Sequence, residues 1–216
     1  MTDDTQELAR EGVRFFGEIS ASISHEMKNV LAIINENAGL LADMVRPSAQ
    51  QRPISPERLA RLADSVAGQV RRGNQIIEGM NRFAHSADLP VESVDLGEAV
   101  DLVCSVAARL IAVKGRPPEI YRPALPVTVS ANRFFLVSLI WSFLCRTMDT
   151  CAPGGTITIT VEPHQPGARI RFGGLAMEAA VAGTPRPLLR EEMVARFIGA
   201  QLTADQGKAE IAIVFG

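Results

Sequence analysis

Hydrophobic residues recur at three- and four-residue steps along the first 45 positions of the chain. This spacing places them along one side of an α-helix, so it predicts a helix over residues 7–45. The stripe consists of Phe16, Ile19, Ile23, Met27, Val30, Ile34, Ala38, Leu41 and Val45.

A second stripe follows a polar, proline-containing stretch from Arg46 to Pro53. Ser55 offers an N-cap and Pro56 a first helical residue, so a second helix is predicted from there to about Phe83. Its stripe consists of Leu59, Leu62, Val66, Val70, Ile77 and Met80. Two amphipathic helices joined by a short turn predict an antiparallel hairpin. Because one hairpin buries little apolar surface, we expect two hairpins to pair as the four-helix bundle of a homodimer.

The pattern changes after Pro90, where short alternating runs are interleaved with helical ones. It predicts strands at 94–96, 156–161, 168–172 and 209–215, and helices at 97–113, 131–151 and 187–202. This order is typical of an α+β sandwich with helices on one face of a mixed sheet. We therefore expect two domains, a helical hairpin over residues 1–88 and a sandwich over residues 93–216.

Composition narrows the function classes. The 216 residues carry a net charge of −2 and only 5% aromatic residues, which argues against a nucleic-acid binder. No apolar run is long enough to span a membrane, and the polar N-terminus is unlike a signal peptide. Three cysteines without a CxxC spacing predict buried free thiols in a reducing compartment, so a cytoplasmic protein is expected.

A histidine in the middle of the first helix is the main candidate for chemistry. At about 100° per residue His25 lies opposite the apolar stripe, and Asn29 shares its face one turn later. Such a histidine can be an ordinary surface residue. It can also accept a phosphoryl group, because a neutral imidazole is a nucleophile and Glu26 could hold its tautomer and take its proton.

The stretch SISHEMKNVLAIINENAGLL resembles the H-box of bacterial sensor histidine kinases, and the hairpin followed by a sandwich is similar to that family's domain order. The resemblance implies that His25 accepts phosphate and passes it to an aspartate of a receiver domain. It further implies that Glu26 assists this transfer and that Asn29 orients water for dephosphorylation of the receiver. The sequence differs from the family at Val30, where a proline is frequent.

The second domain departs from the same family at its nucleotide-binding motifs. Ser142 and Arg146 stand where the family has asparagines that hold Mg²⁺ and phosphates. No aspartate follows the strand that ends near Phe172, and no Gly-x-Gly occurs between Leu175 and Leu202. Mg²⁺-ATP needs carboxylate or amide oxygens and backbone amides. We therefore expect no ATP and no other cofactor, with Mg²⁺ bound by the partner receiver.

A hairpin with a phosphorylatable histidine and a degenerate ATP domain resembles the kinase-like histidine phosphotransferases of phosphorelays. The expected partners are receiver domains of response regulators or hybrid kinases, with Lys28, Arg71 and Arg72 in contact with them. Two alternatives remain: an autophosphorylating kinase core with a divergent nucleotide site, and a dimeric scaffold that binds receivers without transferring phosphate. Loss of receiver phosphate through Asn29 would make the protein a phosphatase.

Other polar residues are expected to be structural. Gly154-Gly155 lacks a following Lys-Ser/Thr and is predicted to be a simple turn. His85 and His164 are isolated, so no metal site is expected. Asp149 is predicted to be a polar group near a helix end.

Overall fold

The computed structural model describes residues 3–45, 55–115, 117–152, 154–176, 189–205 and 207–216. Its first two elements are the long helices α1 (Asp3–Val45) and α2 (Pro56–His85). Asn37 on α1 bonds to Ser65, and Glu26, earlier on α1, bonds to Arg72, later on α2, so the helices run antiparallel. The predicted hairpin is confirmed, while the predicted turn over residues 46–54 lies outside the described residues.

The apolar surface of the hairpin is divided between two faces, which differs from the single stripe predicted for each helix. Phe15, Ile19, Ile23 and Val30 are buried against the rest of the molecule. By contrast, Phe16 is 46% exposed. An exposed apolar seam therefore runs along the hairpin beside its packed face, and we define it by residues of both helices. The seam consists of Val13, Phe16, Leu31, Val45, Leu59, Val70, Ile77 and Met80.

A mixed α/β layer follows the hairpin. Its elements in chain order are β1 (Glu92–Asp95), α3 (Leu96–Val106), α4 (Ala108–Lys114), β2 (Glu119–Tyr121), β3 (Thr128–Ala131), α5 (Arg133–Thr150), β4 (Thr158–His164), β5 (Gly167–Gly173), α6 (Leu189–Phe197), β6 (Ala200–Asp205) and β7 (Glu210–Phe215).

Five of these strands form one sheet in the order β2-β4-β5-β7-β6. The β2–β4 pair is parallel and the other pairs are antiparallel, while β1 and β3 make a separate antiparallel pair. One sheet face packs on the helices, as where Phe143 of α5 meets Phe172 of β5 with ring centroids 5.5 Å apart. The other face carries ion pairs such as Arg171 with Glu210. The predicted α+β class with a mixed sheet is confirmed.

The predicted helices of this layer have different limits in the structure. The helix predicted at 97–113 is interrupted at Ala107, which separates α3 from α4. The helix predicted at 187–202 ends at Phe197, because Gly199 turns the chain with a φ of +73° and β6 begins at Ala200. Its first two predicted residues, 187 and 188, lie outside the described residues.

The hairpin and the α/β layer share one hydrophobic core. The rings of Phe15, Phe83 and Phe134 meet with centroids 5.4–5.8 Å apart. Gly79 lets α2 approach α3 closely, since a Cβ there would lie 3.0 Å from Ser105 Oγ. This shared core fixes the position of α1 relative to α5, and α1 contributes to both clefts described next.

Candidate functional site

His25 lies midway along α1 with its side chain exposed, as its position opposite the apolar stripe predicts. Asn29 and Lys28 are exposed as well, while Ile23 and Val30 are buried. The helix therefore keeps its packing residues on one side and presents His25 and Asn29 on another. An exposed imidazole on a rigid helix is accessible to the active site of a partner protein.

Glu26, the next residue, is bonded to a residue of the second helix. It is only 8% exposed, and its Oε1 accepts a hydrogen bond of 2.9 Å from Nη2 of Arg72 on α2. Within the described residues no hydrogen bond joins Glu26 to His25. The carboxylate of Glu26 thus connects the two helices at the level of His25. Its hydrogen bond goes to Arg72 and not to the imidazole ring of His25.

A cleft of about 560 Å³ opens beside this ion pair, between α2 and the α3–α4 segment. Its lining residues are Glu26, Gly68, Arg71, Arg72, Gln75, Ile76, Ser105 and Ala108. Arg71 is exposed, as predicted for a residue that meets a partner. The cleft therefore places two guanidinium groups and one buried carboxylate next to the turn of α1 that carries His25.

The residues at the family's nucleotide positions are bound to a carboxylate of the same chain. Ser142 Oγ donates a hydrogen bond of 2.5 Å to Oε1 of Glu191, and Arg146 Nη2 pairs with Oε2 of Glu191. Glu191 is 3% exposed and reaches this face of α5 from α6. Ser142 and Arg146 are both bound to Glu191, so this arrangement does not present their side chains to the phosphates of a nucleotide.

Helix α1 covers the same face of α5. Trp141 Nε1 donates a hydrogen bond of 3.2 Å to Oε1 of Glu18, two turns before His25. A cleft of about 300 Å³ remains between the helices, with Glu11, Arg14, Lys114 and Asp149 among its charged residues. Arg14 pairs with Glu11, and Lys114 pairs with Asp149 at 2.6 Å. Asp149 therefore has the structural role predicted for it.

Three expected absences can be compared with the described part of the chain. There, no group of His, Cys, Asp and Glu side chains could hold a metal ion. No helix among those residues combines the length and apolarity needed to cross a bilayer. Cys104, Cys145 and Cys151 are free thiols and are half-buried, whereas the sequence predicts buried thiols.

The thiols of Cys104 and Cys145 are expected to be unreactive at neutral pH. Burial raises the pKa of Cys104 to about 11 and that of Cys145 to about 12. Because the thiolate is the nucleophile, we expect iodoacetamide at pH 8 to modify both at least ~100-fold more slowly than in the urea-unfolded chain. Mass spectrometry of timed samples measures the rates at each site. Equal rates for folded and unfolded protein would contradict this expectation.

Sequence reasoning missed the partners of several site residues. The Glu26–Arg72 pair and the contact of Glu191 with α5 join positions far apart in the chain, so no local pattern reveals them. One signal was available for Arg146, since a charged residue in a very apolar helix requires a counter-ion when buried. That signal could not say that the counter-ion would come from residue 191.

Solved structures that resemble this chain include histidine kinases and a bacterial phosphotransferase. The Acinetobacter baumannii histidine kinase AdeS is 14% identical, with 88% of this chain and 94% of that chain covered at a TM-score of 0.44. The cytoplasmic segment of histidine kinase QseC is 11% identical, with 76% and 97% covered at 0.45. The bacterial phosphotransferase is 12% identical, with 92% and 94% covered at 0.44.

No protein-family model matches the sequence, and neither does any curated protein. The neighbours are of the kind that the H-box resemblance predicted, namely histidine kinase cores.

Proposed function

We propose that this protein is a histidine phosphotransferase of a two-component phosphorelay. His25 accepts a phosphoryl group from the aspartyl phosphate of one receiver domain and passes it to the aspartate of another. The observation that carries the proposal is the exposed position of His25 on a rigid helical hairpin, beside a cleft with Arg71 and Arg72.

The chemistry requires little more than this geometry. Phosphoryl transfer is catalysed mainly by positioning and by stabilisation of charge on the phosphoryl oxygens. A neutral imidazole supplies the nucleophile, and the receiver supplies the phosphoryl group together with its Mg²⁺. Lys28 and Arg71 are cations beside the acceptor, which favours the approach of an acidic receiver surface.

The α5 face supports receivers, and not ATP, as the source of phosphate. Ser142 and Arg146 are bound to Glu191, and α1 packs over the same helix through Glu18 and Trp141. A nucleotide bound to Ser142 and Arg146 would have to displace Glu191 from them. In this proposal the α/β layer acts as a fixed wall beside the hairpin, and His25 is phosphorylated in trans by receivers.

The proposed cellular compartment is based on the expected receiver partners and on the free cysteine thiols. Cys104, Cys145 and Cys151 are free, as is usual for proteins of reducing compartments. We propose that the protein exchanges phosphate with receivers in the cytoplasm.

A homodimer formed through the exposed apolar seam is part of the proposal. At about 100° per residue the seam residues of each helix lie within an arc of roughly 80°, so a second hairpin can cover them together. Ile77, at the middle of the α2 seam, is 46% exposed in the single chain.

Changing Ile77 to glutamate is expected to weaken the dimer at least ~10-fold, since pairing would bury a charge. Analytical ultracentrifugation over a concentration series measures the dimer dissociation constant. Glu78→Gln changes the neighbouring exposed residue and should leave that constant within about twofold. Wild-type protein that stays monomeric at all concentrations would contradict the dimer.

The function is tested by following labelled phosphate. The purified protein is mixed with a panel of receiver domains carrying ³²P-aspartyl phosphate and, separately, with γ-³²P-ATP and Mg²⁺. The proposal predicts an acid-labile, base-stable label on this protein from at least one receiver, and none from ATP. Label from ATP would instead identify a kinase core. A receiver that binds, keeps its phosphate and leaves this protein unlabelled would identify a scaffold. Loss of receiver phosphate that depends on Asn29 would identify a phosphatase.

A further inference from the structure

The two side chains of the Glu26–Arg72 pair differ strongly in their exposure to solvent. The side chain of Glu26 is 11% exposed, whereas that of Arg72 is 53% exposed, and one hydrogen bond of 2.9 Å joins Oε1 to Nη2. The carboxylate is therefore fixed inside the groove between the helices. The guanidinium is held at one corner, and the rest of it faces the cleft beside α2.

A guanidinium carries five N–H donors in a planar fork that matches the oxygens of a phosphoryl group. Among the described contacts Arg72 donates only from Nη2, to Glu26 Oε1, and its side chain lines the cleft, so its other N–H groups remain available to a ligand there. Because Glu26 directly follows His25, the guanidinium lies against the same turn of α1 that carries the proposed acceptor. The contact with Glu26 also limits the conformations of Arg72, which lowers the entropic cost of using it.

We infer that Arg72 contacts the phosphoryl group during transfer to and from His25, and that Glu26 is a positioning residue for Arg72. This inference rests on the proposed function and replaces the role of Glu26 as the proton acceptor of His25. It also separates Arg72 from Arg71, which shares the cleft but has no hydrogen bond to Glu26 among the described contacts.

The step is balanced without an added reactant. A ring nitrogen of neutral His25 forms the new P–N bond while the P–O bond to the receiver aspartate breaks, and the aspartate leaves with the electron pair as a carboxylate. The proton on the other ring nitrogen stays there or passes to water. Arg72 stabilises the charge spread over the three equatorial oxygens of the transferring group in the transition state.

Single-turnover transfer from a ³²P-labelled receiver tests the inference, with receiver concentration varied to separate the maximal rate from the half-saturation concentration. Arg72→Gln is expected to lower the maximal rate about 10- to 100-fold with little change in half-saturation. Arg71→Gln, the matched control, should raise the half-saturation concentration and keep the maximal rate within about twofold. Arg72→Lys keeps the charge and the pairing with Glu26 but loses the fork, so its rate should be intermediate.

The double variant Glu26→Gln/Arg72→Gln distinguishes a positioning role from independent proton transfer. If Glu26 acts through Arg72, the double variant is as slow as Arg72→Gln alone, whereas fully additive losses would overturn the inference. Equal maximal rates for Arg72→Gln and Arg71→Gln would also overturn it while leaving the proposed function intact. Wild-type protein that no receiver labels would overturn both. Circular dichroism and thermal unfolding of each variant show that rate losses do not come from unfolding.

Discussion

Replacing His25 by alanine is expected to abolish uptake of phosphate from every receiver that labels the wild-type protein. The loss should exceed ~10³-fold, because removing the nucleophile removes the bond-forming atom and cannot be offset by binding. The side chain is exposed and has no hydrogen bond among the described contacts, so the substitution should change the unfolding free energy by less than about 0.5 kcal/mol. Activity and stability are thereby separated.

The measurement is the amount of ³²P on the protein after gel separation, with urea unfolding of the same samples as the check on folding. Ser24→Ala, a change at the exposed residue just before His25, is the matched control and should be labelled at the wild-type rate. Persistent label on the His25→Ala protein would place the acceptor elsewhere, with His85 and His164 as the other histidines to test.

Long periodic segments were the part of the fold that sequence reasoning predicted best. Helix α1 shows many turns of the same spacing, and each added turn strengthens the pattern. Strands β2 and β3 have three and four residues, too few for alternation to be distinguished from chance. Strand β6 was merged with the preceding helix, since the left-handed turn at Gly199 is not encoded by hydrophobic spacing.

The two apolar faces of the hairpin show a second limit of periodicity. Phe15 and Phe16 are adjacent in the sequence, yet Phe15 is 2% exposed and Phe16 is 46% exposed. Periodicity recognises a broad apolar surface, but it does not say which part is covered by the same chain and which part remains for another molecule. That division depends on the α/β layer, whose Phe134 packs on Phe15.

The candidate site, too, was predicted only in its local features. The exposure of His25 and Asn29 follows from local helix geometry and was predicted. The pairing of Glu26 with Arg72 was not predicted, because Arg72 lies 46 residues away and helix periodicity gives no information about such a partner. The roles of these residues in transfer stay predictions until the labelling experiments are done.

Two polar side chains on the largely buried helix α5, Ser142 and Arg146, have a partner that makes them compatible with a stable fold. Helix α5 has no exposed polar face of its own, and most of its residues are buried. Ser142 and Arg146 would be costly in such a place without partners, because buried polar groups need hydrogen bonds and buried charges need counter-ions. Glu191 supplies both, so Ser142, Arg146 and the carboxylate on α6 form one structural unit.

Removing the carboxylate of this unit is expected to have the largest effect on stability. In Glu191→Ala the guanidinium of Arg146, whose side chain is 11% exposed, loses this counter-ion, and Ser142 loses its acceptor. Breaking one partner of a buried pair costs about 3–5 kcal/mol, which should appear as a lower midpoint in urea with an unchanged m-value. Glu192→Ala, at the adjacent exposed position, should stay within about 0.5 kcal/mol of wild type. Replacing the pair together, as Arg146→Met with Glu191→Leu, should recover most of the loss, since two apolar side chains need no counter-ion. If Glu191→Ala and Glu192→Ala unfold at the same midpoint, the ion pair does not stabilise the contact between α5 and α6. The argument that this pair prevents nucleotide binding at α5 would then fail.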